Sequence, residues 1–224
     1  MSATARLATV IPVLDDAVHL RELLADLRAD PDLEIVVVDG GSRDETRVVA
    51  AAAHKVVAAP SSRGGQLRAG TDASERDWLW FLHADTHVDA QAIRVLSARL
   101  DSPGWGFFAI RLDNGAWPYR VIERAMNWRS FATGIATGDQ GIFVHRRLLD
   151  AVGGVPDQPL MEDVELSKRL RRIAKPRRLA AAIDTSSRRW ERAGVVRTIM
   201  LMWTLRLRYF LGASPEALAR SYDG

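Results

Sequence analysis

Residues 34–42, Glu-Ile-Val-Val-Val-Asp-Gly-Gly-Ser, decide the fold. The run at 34–38 is the clearest strand of the chain, dense in β-branched residues that suit a pleated, buried surface. Upstream, Leu7–Val13 reads as a buried strand, and Leu20, Leu23, Leu24 and Leu27 form the i, i+3, i+4, i+7 stripe of a helix packed on it. Downstream, Ser42-Arg43-Asp44-Glu45 has the form of a capping box at a helix start. Strands at 56–59 and 78–82 and helices at 66–74 and 90–100 continue the alternation. Short apolar runs alternating with amphipathic stretches predict βα units, hence an α/β fold with a mostly parallel sheet flanked by helices.

The pattern changes after the turn-rich Asp101-Ser102-Pro103-Gly104. Strands at 106–112 and 141–145 enclose a helix at 119–131, and a further helix covers 162–173. A long apolar tail, 194–211, reads as helical.

The chain has 224 residues, 47% of them hydrophobic, which suits one globular domain with a substantial core. Its net charge of +3 is a mild excess, concentrated between Arg169 and Arg192. That implies a local basic surface for phosphates or anionic lipid. Neither a zinc module nor an aromatic-interleaved basic repeat is present, so no nucleic acid partner is expected. The absence of cysteine excludes disulfides, thiolate metal ligands and cysteine catalysis. No run reaches the ~18–20 apolar residues of a spanning helix. The expected location is therefore cytoplasmic, with a peripheral place at the inner face of the membrane as the alternative.

The acids carry the chemistry. Asp15 and Asp16 follow the first strand, Asp39 ends the second and Asp85 follows the fourth. Ligands of open parallel sheets bind outside the carboxyl ends of the strands. Each acid alone also suits a cap or a turn; all of them at one edge point to a ligand. Asp39 with Gly40 can meet a ribose or base, the glycine allowing close approach. The first strand lacks the G-x-G-x-x-G that a dinucleotide site needs, and the G-x-x-x-x-G-K-[ST] phosphate loop is missing too. The phosphates therefore need another counter-charge, and a divalent metal, Mg2+ or Mn2+, on Asp85 would supply it. His83 is a second candidate ligand, although a lone histidine beside a strand more often serves structure. Arg63-Gly64-Gly65-Gln66 can meet phosphate or be a surface turn.

The runs VIPVLDD, VVVDGGSRDET, FLHADT and MEDVEL, in this order over 7–190, resemble the family 2 glycosyltransferases of GT-A fold. The resemblance implies a Rossmann-like sheet with a C-terminal helical extension, and a nucleotide-sugar donor, such as a UDP-sugar, whose sugar passes to an acceptor hydroxyl with inversion. Pro12, Asp16 and Asp39 would contact the nucleoside, with Gly40, Arg63 and Gln66 alongside. Asp85 would be the last acid of the D-x-D metal motif. Asp163 would be the general base, with Asp139, Gln140, Glu162, Arg189 and Trp190 on the acceptor side. Residues 1–100 would form the nucleotide-binding half of a 1–193 catalytic domain, 101–193 the acceptor half, and 194–224 the extension. The runs GDQGIFV and RRWER are similar to a bacterial subgroup associated with arsenosugar biosynthesis.

Two departures stand out. His83 replaces the first acid of D-x-D, and Ser186 stands where processive members have the glutamine of Q-x-x-R-W. Asp163 shares a helix face with Leu166, Leu170 and Ile173, so it should face inward; the competing reading is that Glu162 and Asp163 only stabilise a helix start. For the tail, 195–212, packing on the catalytic domain or a second subunit is favoured over an interfacial membrane helix. The rival functions are a nucleotidyltransferase and a non-catalytic nucleotide-binding or membrane scaffold protein.

Overall fold

A computed structural model describes residues 3–223, apart from the side chains of Arg189 and Asp223. Its strands are β1 (Leu7–Val13), β2 (Glu34–Asp39), β3 (Lys55–Ala58), β4 (Trp78–Phe81), β5 (Thr86–His87), β6 (Trp105–Leu112), β7 (Phe143–His145) and β8 (Arg177–Thr185). They form one sheet in the order β3-β2-β1-β4-β7-β6-β8-β5. β1 lies parallel to β2 and β4, β2 parallel to β3, and β6 parallel to β8. β7 is antiparallel to both its neighbours, and β5 to β8.

The helices are α1 (Ala17–Leu27), α2 (Thr46–Ala50), α3 (Arg63–Asp72), α4 (Ala90–Ser97), α5 (Trp117–Thr133), α6 (Arg146–Ala151), α7 (Glu162–Ile173), α8 (Arg188–Ala193), α9 (Val195–Phe210) and α10 (Pro215–Asp223). The side chains of β2 explain the apolar run at its centre, 35–38. Ile35 and Val37 enter a core with Leu20, Leu23 and Leu27 of α1 and Leu96 of α4. Val36 and Val38 enter a second core with Leu67 of α3 and Leu166 and Leu170 of α7. Covered on both faces, positions 35–38 have no place for a polar residue, and the acids Glu34 and Asp39 fall at the two ends of the strand. Each such side chain contributes ~1.5–3 kcal/mol on burial.

Three expectations need correction. The capping box at 42–45 does not form, because α2 begins only at Thr46 and Glu45 at its N-cap makes no side-chain bond. Ser42 Oγ instead accepts the Asp15 amide at 2.9 Å, and Asp44 Oδ1 accepts the Thr46 amide at 2.9 Å. The first bond stitches the loop after β1 to the loop after β2, and the second closes a local turn ahead of α2. The helix expected from 66 starts at Arg63, with Ser62 at its cap. β8 was not expected at all: its alanine-rich sequence has no strong strand pattern, and it is held by its long pairing with β6.

The tail folds back onto the body. Leu205 of α9 and Leu218 of α10 pack with Leu160, Met161 and Val164 in a third core. Tyr209 donates to Glu165 Oε2 at 2.8 Å, and Lys168 Nζ lies 5.1 Å from the Tyr209 ring centre. Among the described residues no helix is long and apolar enough to cross a membrane.

Candidate active site

The registers bring three strand ends to one edge. Val13 pairs with Asp39 and Val10 with Phe81, so β1, β2 and β4 all finish on the same side. β7 runs the other way, and Phe81 donates to the Ile142 carbonyl at 2.9 Å. The loop that enters β7 therefore meets the loop that leaves β4.

Asp39 is 2% exposed, and its Oδ1 accepts the Ser42 amide at 3.0 Å. Its Oδ2 lies 3.5 Å from Arg47 Nε. The Gly40 amide donates to the Val13 carbonyl at 2.8 Å, fixing the turn against β1, in which Pro12 is the half-buried penultimate residue. Gln66 is buried, and its Nε2 donates to the carbonyls of Val13 at 3.1 Å and Val38 at 2.9 Å. Its amide thus ties α3 to the two strand ends. The glycine beside Arg63 also serves the fold. A Cβ on Gly64 would fall 2.3 Å from the Pro156 carbonyl, so the close approach there is to the chain itself.

Asp16 and Asp85 are joined by a residue that the sequence showed only as part of a basic run. Arg188 Nη2 lies 3.1 Å from Asp16 Oδ2 and 3.6 Å from Asp85 Oδ2. His19 pairs with the other oxygen of Asp16. Arg188 reaches this edge because β8 ends beside β5, and the Ser187 amide donates to Asp113 Oδ1 at 2.8 Å. Among the described residues no group of three or more histidines and acids is placed to hold a metal. Asp85, a partly exposed carboxylate at the strand edge, fits an ion that takes most of its oxygens from a diphosphate.

A second group lies beside the first. His83 Nδ1 is 3.1 Å from Asp139 Oδ1. Asp163 Oδ2 accepts the Gly138 amide at 2.7 Å, and Oδ1 accepts the Val164 amide at 2.7 Å. Each carboxylate oxygen keeps a lone pair beyond these bonds. A Cβ on Gly138 would fall 2.4 Å from His83 Nε2, so only glycine lets this loop close on the histidine. Gln140 does not face the cleft. It is fully buried, donating to the Phe108 carbonyl at 3.2 Å and accepting the Thr137 amide at 3.1 Å.

Glu162 is the unusual acid. It is 2% exposed, its Oε1 accepts no hydrogen bond, and Arg63 Nε stands 3.7 Å away. Burial pushes its carboxyl up to about 7; the neighbouring Asp163 adds to the rise, and Arg63 opposes it. Burial works against the Arg63 charge, but Glu162, Asp163, Asp139 and Asp85 together hold its pKa above the ordinary value. Met161, just ahead, has a left-handed φ of 65°, a conformation costing a non-glycine residue ~1–3 kcal/mol. Its side chain is buried in the third core, which holds the turn in place. Glu162 and Asp163 line a cavity with His83, Gly138 and Leu82. At about 20 Å³ it is water-sized and cannot seat a sugar. Trp190 lies half-buried in α8, and the Arg189 side chain falls outside the described residues.

A parallel sheet with acids from three loops gathered at its carboxyl edge defines an α/β protein of the nucleotide-binding kind. The family model "Glycosyl transferase family 2" matches residues 9–146, and the chain belongs to that family. Among solved structures, it resembles S. aureus TarS residues 1–349 at 17% identity and TM-score 0.67, over 81% of this chain and 60% of that one. A mannosyltransferase from Pyrobaculum calidifontis, solved with GDP-Man and Mn2+, gives 19% and 0.59 over 80% of this chain and 56% of that one. Glucosyl-3-phosphoglycerate synthase from Mycobacterium tuberculosis, solved with Mn2+, UDP and phosphoglyceric acid, gives 16% and 0.58 over 82% and 72%. At such identities the likeness establishes the GT-A fold, and the chain spans about 60% of the TarS fragment's length. No curated protein matches the chain in sequence.

Proposed function

We propose that the protein transfers a sugar from a nucleoside-diphosphate donor to an acceptor hydroxyl, with inversion at the anomeric carbon. The observation that carries this reading is the gathering of Asp39 at the end of β2, Asp85 in the loop after β4 and Asp163 in the first turn of α7 at the carboxyl edge of one sheet. Family membership and the UDP-, GDP- and metal-bound relatives support it.

In this account Asp39, Asp16 and Pro12 receive the nucleoside, and 1–100 acts as the donor half. Arg188 and Arg63 are cations within reach of the diphosphate. Mg2+ or Mn2+, held by Asp85 and the diphosphate oxygens, would neutralise charge on the departing nucleotide. Asp163 takes the proton of the acceptor hydroxyl while that oxygen bonds to the anomeric carbon. The bond from that carbon to the diphosphate oxygen breaks in the same step, and the nucleoside diphosphate leaves. The Gly138 and Val164 amides orient the base. Glu162, buried beside Asp163 with Arg63 3.7 Å away, stands on the acceptor side with Asp139 in this account. The GDQGIFV and RRWER runs favour membership of the arsenosugar-associated subgroup, with 101–193 as the acceptor half.

Calorimetry with UDP, GDP and dTDP, with and without Mn2+, tests the donor side. One nucleotide should bind, more weakly in EDTA, and Asp39→Ala should abolish its binding. Unchanged affinity in that variant, or in EDTA, would remove the corresponding role.

A further inference from the structure

α9 is an amphipathic helix whose two apolar faces have different surroundings. One face, with Leu205, Leu201 and Tyr209, rests on the start of α7 and on α10. The other carries Val196, Met200, Trp203, Leu207 and Phe210, continued by Leu211, each at least 61% exposed. At 3.6 residues per turn these six residues fall within an arc of roughly 100°, opposite Leu205. This stripe is continuous, whereas isolated exposed apolar residues are ordinary.

The charges identify what covers it. Between Gly194 and Ser214 the chain has three arginines, Arg197, Arg206 and Arg208, and no acid. By the same helical geometry Arg197 and Arg208 flank one side of the stripe and Arg206 the other. An apolar strip containing a tryptophan, edged on both sides by long cationic side chains that can reach outward, matches a bilayer interface rich in anionic headgroups. A protein partner would require a complementary acidic rim, and a second copy of α9 would set arginine against arginine.

We propose that the outer face of α9 docks the protein on an anionic membrane surface. The helix lies in the interface plane, with Trp203, Leu207 and Phe210 among the acyl-chain ends and the three arginines at the phosphates. The inner face of α9 packs on Val164, the neighbour of Asp163, so the bilayer would lie about one helix diameter, ~10 Å, from the catalytic edge. The proposal rests on the tail alone and stands whether or not the chain transfers sugar.

The test is sedimentation of the full chain with vesicles of phosphatidylcholine alone or with one-third phosphatidylglycerol. The wild type should sediment with the anionic vesicles only. It should be released on raising salt from ~0.1 M to ~1 M, which shortens the screening length from ~10 Å to ~3 Å. Changing all three arginines to glutamine should lower the affinity on the order of a hundredfold. Trp203→Ser with Leu207→Ser should abolish binding while unfolding in urea stays as in the wild type, because both positions are exposed. Binding that ignores lipid charge overturns the proposal, as does full binding by the serine variant. A wild type that dimerises without binding vesicles, and is made monomeric by the serine changes, assigns the face to a second copy and also overturns it.

Discussion

Glu162→Gln should gain stability relative to the wild type as the pH rises from acid to neutral. The carboxyl is buried, and its folded-state pKa of about 7 lies above the ordinary 4.5. Between those values the folded state holds a proton that the unfolded chain has released, so stability falls as pH rises through the window. Above about 7 the whole penalty is present; below 4.5 it is gone. From 4.5 to about 7, at ~1.4 kcal/mol per pH unit, the ionised group costs the fold about 3 kcal/mol. Glutamine keeps the shape without the charge. The attraction of Arg63, 3.7 Å away, already lowers the Glu162 pKa, so the loss of this partner is contained in that cost. The stability difference between variant and wild type should therefore grow by about 3 kcal/mol from pH 4 to pH 8. That is a relative gain of roughly 6–12 °C in Tm for a chain of this size. Urea unfolding at each pH measures it directly. A difference that stays flat across this range would refute the argument that burial of Glu162 sets its pKa.

Two further outcomes follow from packing. Gly138→Ala should displace the His83 ring, since the new methyl carbon would fall 2.4 Å from Nε2; histidine NMR shifts should move and donor turnover should drop while nucleotide affinity holds. Leu23→Ala, at the centre of the α1 packing, should destabilise the protein by ~2–5 kcal/mol in urea without changing nucleotide affinity.

The order of elements was legible because it rests on local pattern. The apolar run of β2 and the leucine stripe of α1 announce themselves, and the strand ends then place Asp39 and Asp85. Elements whose residues carry no pattern of their own were not legible. β8 is alanine-rich and exists through pairing with β6. Ser42 has the residues of a capping box around it, yet its hydroxyl is taken by the Asp15 amide from a neighbouring loop. In the site, acids are easy to nominate, but which polar groups face inward depends on contacts far away in sequence. Gln66 and Gln140 looked like ligand contacts and are spent on backbone carbonyls. Arg188 looked like surface charge and bridges Asp16 and Asp85, 172 residues distant in the first case. A carboxylate between two loops that needs a cation was the available signal, and only topology could say which arginine answers it.

The central claim is that Asp163 is the base for transfer to a hydroxyl acceptor, and Asp163→Asn tests it most directly. The amide preserves the shape and some of the hydrogen bonding but cannot take a proton at neutral pH. With the donor identified by nucleotide binding, release of nucleoside diphosphate in the presence of acceptor should fall ~10²–10⁴-fold, the usual worth of general-base catalysis. Affinity for the nucleotide should stay within about twofold, because Asp163 contacts the Gly138 and Val164 amides and no donor group in this account. Turnover within a few-fold of wild type would contradict the claim, reduce Asp163 to a helix-start residue, and move the search for the base to Asp139 and Glu162.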